Sequence, residues 1–187
     1  MAFRRGGFRD LDNPEGDVLY AQRKAPHAPR SHAGRGFRPT PIRARVGLAM
    51  RRSMNFGSMP DAESVLRAHG LSLAPMAIGE GGLSIGGTSV LATAQASDLD
   101  SGALKGLVVP AGAADEAGDA ALADAISRAC AKGAPVLAFG EGVAATLRAL
   151  GRPAGPFADA PAVVVSGDDV QPLADADALG AAAGRIH

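Results

Sequence analysis

The sequence predicts an α/β fold, three layers with a mostly parallel sheet between helices, preceded by an irregular basic arm over residues 1–40. Three observations lead there. Beyond residue 41, short apolar runs such as RARVGLAM, KGLVVPAG and PAVVVSG alternate with segments of helical period, the pattern of βαβ units whose strands are buried on both faces. Residues 134–150, APVLAFGEGVAATLRAL, pass from an apolar strand through Gly140-Glu141-Gly142 directly into helical spacing. The charge is also divided: residues 1–52 hold twelve Lys and Arg against four Asp and Glu, and residues 53–187 hold seven against fifteen. Residues 1–52 thus carry +8 and residues 53–187 −8, a basic start on an acidic body, although the formal net charge is zero.

Taken in order, residues 43–50 read as the first strand of a domain that opens near Pro41. Residues 51–60 read as a loop. Asp61 is placed to cap a helix running to Ala68, with Val65 and Leu66 as its buried face and Gly70 as its stop. Residues 71–78 form a second strand, which Pro75 assigns to a sheet edge or a bulge because it has no N–H to donate. The glycine-rich stretch 79–88, GEGGLSIGGT, ends in neither Gly-Lys-Ser/Thr nor a GxGxxG between a strand and a helix. It reads instead as a hairpin turning at the glycine pairs, with residues 89–94 as the return strand. Residues 98–104 are a short helical or loop segment, and 105–112 a buried strand followed by a turn. Over residues 119–132 an amphipathic helix aligns Leu122, Ile126 and Cys130 on one face. After the elbow come a loop at 151–160, a strand at 162–165 and an Ala-rich helix at 175–186. Right-handed crossovers between parallel strands then favour a flavodoxin-like three-layer sandwich over residues 41–187.

Composition narrows the class further. With 47% apolar and only 4% aromatic residues, the core must be packed from Ala, Val, Leu and Ile. Cys130 is the single cysteine, which excludes an intramolecular disulfide or a cysteine metal cage and fits a reducing cytoplasm. Its helical spacing makes it a core thiol rather than a nucleophile. No run approaches the roughly 20 apolar residues of a membrane span, and MAFRRGGFRD has no apolar segment behind its charges. Asp10, Asp12, Glu15 and Asp17 argue against an organellar transit peptide. A cytoplasmic protein without a membrane span is the expectation. His27 and His32 lack metal-ligand spacing with other donors, so neither a metal nor a cofactor is expected.

The arm has too little apolar surface to offset an ordering cost of about 1–2 kcal/mol per residue, and is expected to be disordered when free. Yet it holds four of the seven aromatics in the chain, Phe3, Phe8, Tyr20 and Phe37, set among Arg4, Arg5, Arg9, Arg23, Lys24, Arg35 and Arg38. RGGF at 5–8 and GRGF at 34–37 are like segments that meet RNA by phosphate attraction and stacking. Three readings stand: a solvated tail, a docking arm for a protein assembly, or a nucleic-acid contact.

The turn at 140–142 carries the chemistry. In open α/β sheets such a turn presents a residue outside the carboxyl ends of the strands, where hydrolases place their nucleophile. Here that residue is Gly140, which has no side chain to react. From about residue 42 onward the chain resembles the ThiJ/PfpI group of class I glutamine amidotransferase-like domains. VLRAHGLSL is similar to the family's first helix and second strand, VVPAG to its LPGG turn, and APVLAFGEGVAATLRALG to its strand, elbow and helix. VVVSGDD followed by an Ala-rich helix is similar to the family's end. The likeness covers nearly the whole domain, with no motif intact.

The resemblance implies a cysteine at the elbow in a pattern like A-x-C-x-G, and this chain reads Ala138-Phe139-Gly140-Glu141-Gly142. On the same alignment the carboxylate that would hydrogen-bond the thiol is replaced by Ser58, near Asn55 and Phe56, and the histidine after the elbow by Glu141. The family's Gly-Gly turn is Ala111-Gly112, whose backbone N–H groups remain. Thiol-dependent hydrolysis, amide transfer or glyoxalase-type addition needs a stabilised thiolate, so the resemblance implies a pseudoenzyme. It would be a scaffold or accessory subunit docked through the arm to a larger assembly. Its remnant pocket, bounded by Ala111, Gly112, Gly140 and Glu141, suits a small anion at a helix N-terminus unless Glu141 itself caps that positive end. The family also implies a homodimer. Two alternatives remain: a hydrolase or glyoxalase-like enzyme using Glu141, Ser58 or Ser166, and a nucleic-acid-binding protein acting through the arm. His69 and His187, at a helix end and the chain end, make no Ser-His-acid order.

Overall fold

A computed structural model of the chain describes residues 41–78, 83–85 and 88–187. The arm expected over residues 1–40, with every arginine and aromatic named for it, lies outside the described residues, as do positions 79–82 and 86–87. In chain order the strands are β1 (Ala44–Met50), β2 (Arg52–Asn55), β3 (Leu71–Ala77), β4 (Leu83–Ile85), β5 (Thr88–Val90), β6 (Leu107–Val109), β7 (Ala111–Ala113), β8 (Val136–Phe139), β9 (Ala162–Ser166) and β10 (Asp169–Leu173). The helices are α1 (Ala62–Ala68), α2 (Ser97–Asp100), α3 (Glu116–Ala131), α4 (Glu141–Ala149) and α5 (Ala176–Ala183).

Six strands form the central sheet in the order β10-β9-β8-β6-β1-β3. Counted along the sheet from β3, the first five follow the doubly wound order 2-1-3-4-5. β3, β1, β6 and β8 are parallel, which is the three-layer α/β sandwich with a mostly parallel sheet that the sequence predicts. The side chains alternate across it with period two. Val46 and Val108 face a core shared with Leu66 of α1 and Leu179 of α5. Ala49 and Val109 face Leu99, Ile126 and Leu147 of α2, α3 and α4.

Several local expectations need correction. β9 runs antiparallel to β8 and β10, because after α4 the irregular residues 150–161 carry the chain back to the carboxyl end, where Pro161 O accepts the Gly140 N–H at 3.0 Å. The chain therefore enters β9 from that end, and β10 follows across a turn with Gly167 at φ 59°. Residues 51–60 are not wholly loop: β2 pairs with β7 in a small antiparallel ribbon whose register shifts between Arg52 and Asn55. Asp61 makes no side-chain cap at α1, since its φ −86°, ψ 4° is not the extended conformation a cap requires. Asp115 and Asp175, both extended, do cap α3 and α5, accepting from the Gly118 and Ala178 N–H groups at 2.8 Å each. That cap starts α3 at Glu116, three residues before the expected position.

Other expectations agree with the structure. Gly70 follows α1 at φ 78°, a left-handed conformation that costs glycine little. β3 is an edge strand, and Pro75 lies in it with its carbonyl accepting from the Thr93 and Ala94 N–H groups at 2.8 and 3.1 Å. The β4–β5 hairpin is present, with its return strand ending at Val90 rather than Ala94. Leu122 and Ile126 are buried, while Cys130 is half-buried and packs against the core from the last turn of α3.

Candidate functional site at the elbow

The apolar strand β8 delivers the chain to Gly140 at φ 49°, ψ −125°, and α4 begins at the next residue. A residue with a Cβ rarely adopts that backbone. Gly142 is required for a different reason. A Cβ there would lie 2.6 Å from Val109 O and 2.7 Å from Pro110 O, so only glycine lets α4 approach the end of β6 so closely.

At Gly140 itself a Cβ would have, among the described residues, two heavy atoms within 4 Å, Ala111 Cβ at 3.2 Å and Gly57 Cα at 3.6 Å. The position where a nucleophile would project is thus bordered on one side and otherwise open. Gly57 has φ 59°, Gly112 φ 148° and Ser53 φ 54°, Ser53 being the one non-glycine with positive φ among the described residues. Gly57 borders Gly140, while Ser53 and Gly112 belong to the β2–β7 ribbon whose Ala111 is the other neighbour of Gly140, and strained backbone gathered near one place is a mark of functional sites. Phe56 packs edge-on against Phe139 with centroids 5.1 Å apart, and Asn55 Oδ1 accepts the Gly57 N–H at 2.8 Å. The first contact holds the loop after β2 against the end of β8, and the second shapes the loop itself.

The structure brings Ala111, Gly112 and Gly140 together, with Glu141 exposed as the first residue of α4. Among the described residues no hydrogen bond joins the Ser58 side chain to them. Gly57 is the loop residue against Gly140, and Ser58 lines a groove of about 370 Å³ with Asp61, Pro161 and Asp175, between the starts of α1 and α5. Ser166 lies at the opposite end of β8, since Val165 pairs with Val136. Glu141, Ser58 and Ser166 therefore do not converge on one point. His69 packs against α5, its Nε2 2.7 Å from where a Cβ on Gly180 would be, and His187 Nδ1 is 3.0 Å from Arg43 Nη2. Burial pushes the Cys130 thiol above its ordinary pKa, opposed by nearby Arg152, the setting of an unreactive thiol.

Arg51 was missed at the sequence level. It follows β1 directly and is 6% exposed, in the crevice between β1 and β6 where the strand order reverses. Nη1 donates to Pro110 O at 3.4 Å, Nη2 lies 3.6 Å from Asp119, and Nε has no partner among the described residues. Its only signal in the sequence is an arginine immediately after an apolar strand, and the polar run that follows disguised it as loop.

Among the described residues no group of three or more His, Cys, Asp or Glu is placed to hold a metal, and no helix is long and apolar enough to cross a membrane. Fold and site together define a doubly wound α/β domain with a strand–elbow–helix at the carboxyl end of its sheet. Among solved structures the chain is similar to an AraC family transcriptional regulator from Pseudomonas putida. The identity is 21% over 75% of this chain and 86% of that one, with a TM-score of 0.45. No family model matches the sequence, and no curated protein matches it significantly.

Proposed function

We propose that this chain is a non-catalytic ThiJ/PfpI-like domain, a scaffold or accessory subunit that its basic residues 1–40 dock onto a larger protein assembly. One observation carries the reading: the turn from β8 to α4 keeps the strained backbone of a nucleophile elbow while its apex is Gly140. Without a thiol or hydroxyl there, covalent catalysis has no attacking atom. What the elbow retains is the start of α4, whose first N–H groups have no intrahelical acceptor, beside Ala111 and Gly112. That remnant suits a small anion or carboxylate rather than a reaction. The net +4 charge of residues 1–40, eight Lys and Arg against four Asp and Glu, and their aromatics supply the docking surface.

Two measurements test this. Full-length chain and chain lacking residues 1–40 are compared in affinity capture; the reading expects the partners to be lost with the arm, and a truncated chain that keeps all of them overturns the docking. A screen against glyoxals, small amides and glutamine is expected to give no turnover. Turnover abolished by Glu141→Ala would instead establish an enzyme working through that carboxylate.

A further inference from the structure

The body is acidic, yet its unpaired cations are not spread evenly. Residues 41–187 contain eleven Lys and Arg. Four of them, Arg51, Arg67, Arg128 and Arg152, have a carboxylate within 4 Å. Of the seven without one among the described residues, Lys105, Lys132 and Arg185 line a single open cleft of about 310 Å³ together with His187. Arg43 extends the cluster, its Nη2 3.0 Å from His187 Nδ1, and the Lys105 N–H donates to Arg45 O at 2.8 Å.

The topology assembles this cluster. Lys105 precedes β6, Lys132 precedes β8, Arg43 precedes β1 and Arg185 follows α5, so all four fall at the amino ends of the parallel strands, opposite the elbow. In residues 41–187, where fifteen carboxylates face eleven cations, like charges drawn to one rim repel one another unless something answers them. The C-termini of α3 and α5 lie here too and attract cations. Each helix end supplies only about half a negative charge, however, against three full positive charges on the cleft.

We propose that this cleft binds a small phosphate-bearing anion with two or more negative charges, held by Lys105, Lys132 and Arg185. The two lysines act as point charges, and the Arg185 guanidinium, which is exposed and touches only Gln171 Oε1 at 3.5 Å among the described residues, supplies the planar fork that matches phosphate oxygens. The site is separate from the elbow, so it stands or falls apart from the proposed function.

The test is a titration of the full-length chain with inorganic pyrophosphate, followed by backbone amide NMR. Saturable shifts are expected at Lys105, at residues 132–134 and at Arg185. The exposed pair Lys105→Ala/Lys132→Ala should weaken binding about tenfold or more, since two charge-assisted contacts are removed. Arg148→Ala, an exposed cation without a carboxylate partner elsewhere on the body, should leave the affinity unchanged. Shifts confined to residues 1–40, equal affinity in the double variant, or a response to an oligonucleotide but not to pyrophosphate would each overturn the proposal.

Discussion

The two ends of the central sheet are built under opposite constraints. At the carboxyl end, a Cβ on Gly142 would press on two backbone oxygens at 2.6 and 2.7 Å, Gly140 holds a strained turn, and Arg51 is nearly buried. At the amino end, a Cβ on Gly133 would meet nothing within 4 Å among the described residues, and Lys105, Lys132 and Arg185 are exposed. One end is limited by shape and the other by charge. On the proposed reading, the elbow keeps the form of an active site without its chemistry, because the form is set by the packing of strands and helices, whereas the chemistry needs one side chain.

Stability measurements by chemical denaturation can break this contrast, and the largest effect should come from the shape-limited end. Phe139→Ala removes a fully buried ring that packs on Phe56 and should cost about 3–5 kcal/mol. A loss below 1 kcal/mol would mean that the elbow is not anchored through β8. Gly142→Ala should cost about 1–3 kcal/mol, since backbone oxygens rather than a flexible side chain must move. Next come the caps: Asp175→Ala should cost about 1 kcal/mol, while Asp61→Ala, which caps nothing, should stay within about 0.5 kcal/mol. The smallest effect belongs to the charge-limited end, where Lys105→Ala and Lys132→Ala should each remain within about 0.5 kcal/mol. A larger loss there would show that those lysines hold the fold together, and would erase the contrast.

What the sequence revealed follows the same division. β1, β3, β6 and β8 were legible because strands buried on both faces are written as uninterrupted apolar runs. The reversed direction of β9 was not, since a run such as AVVVS has no polarity of its own and only the return path of residues 150–161, which includes a single 3-10 turn at Gly155–Phe157, sets it. β2 and β7 escaped notice because RSMN and AGA are too short to show a period. At the site, Gly140-Glu141-Gly142 was legible as a local pattern. Arg51 and the cationic rim were not, because their meaning depends on which strand ends the topology brings together.

The central claim, that the elbow persists without its nucleophile, is tested most directly by restoring one. Gly140→Cys places a thiol at the start of α4, where the helix N-terminus favours the thiolate; the strained turn should cost about 1–3 kcal/mol in stability. Alkylation by iodoacetamide at neutral pH, read residue by residue by mass spectrometry, uses the half-buried Cys130 of the same molecule as its reference. The account predicts that the introduced thiol is modified well ahead of Cys130. An introduced thiol that reacts no faster than Cys130 in a correctly folded chain would contradict it.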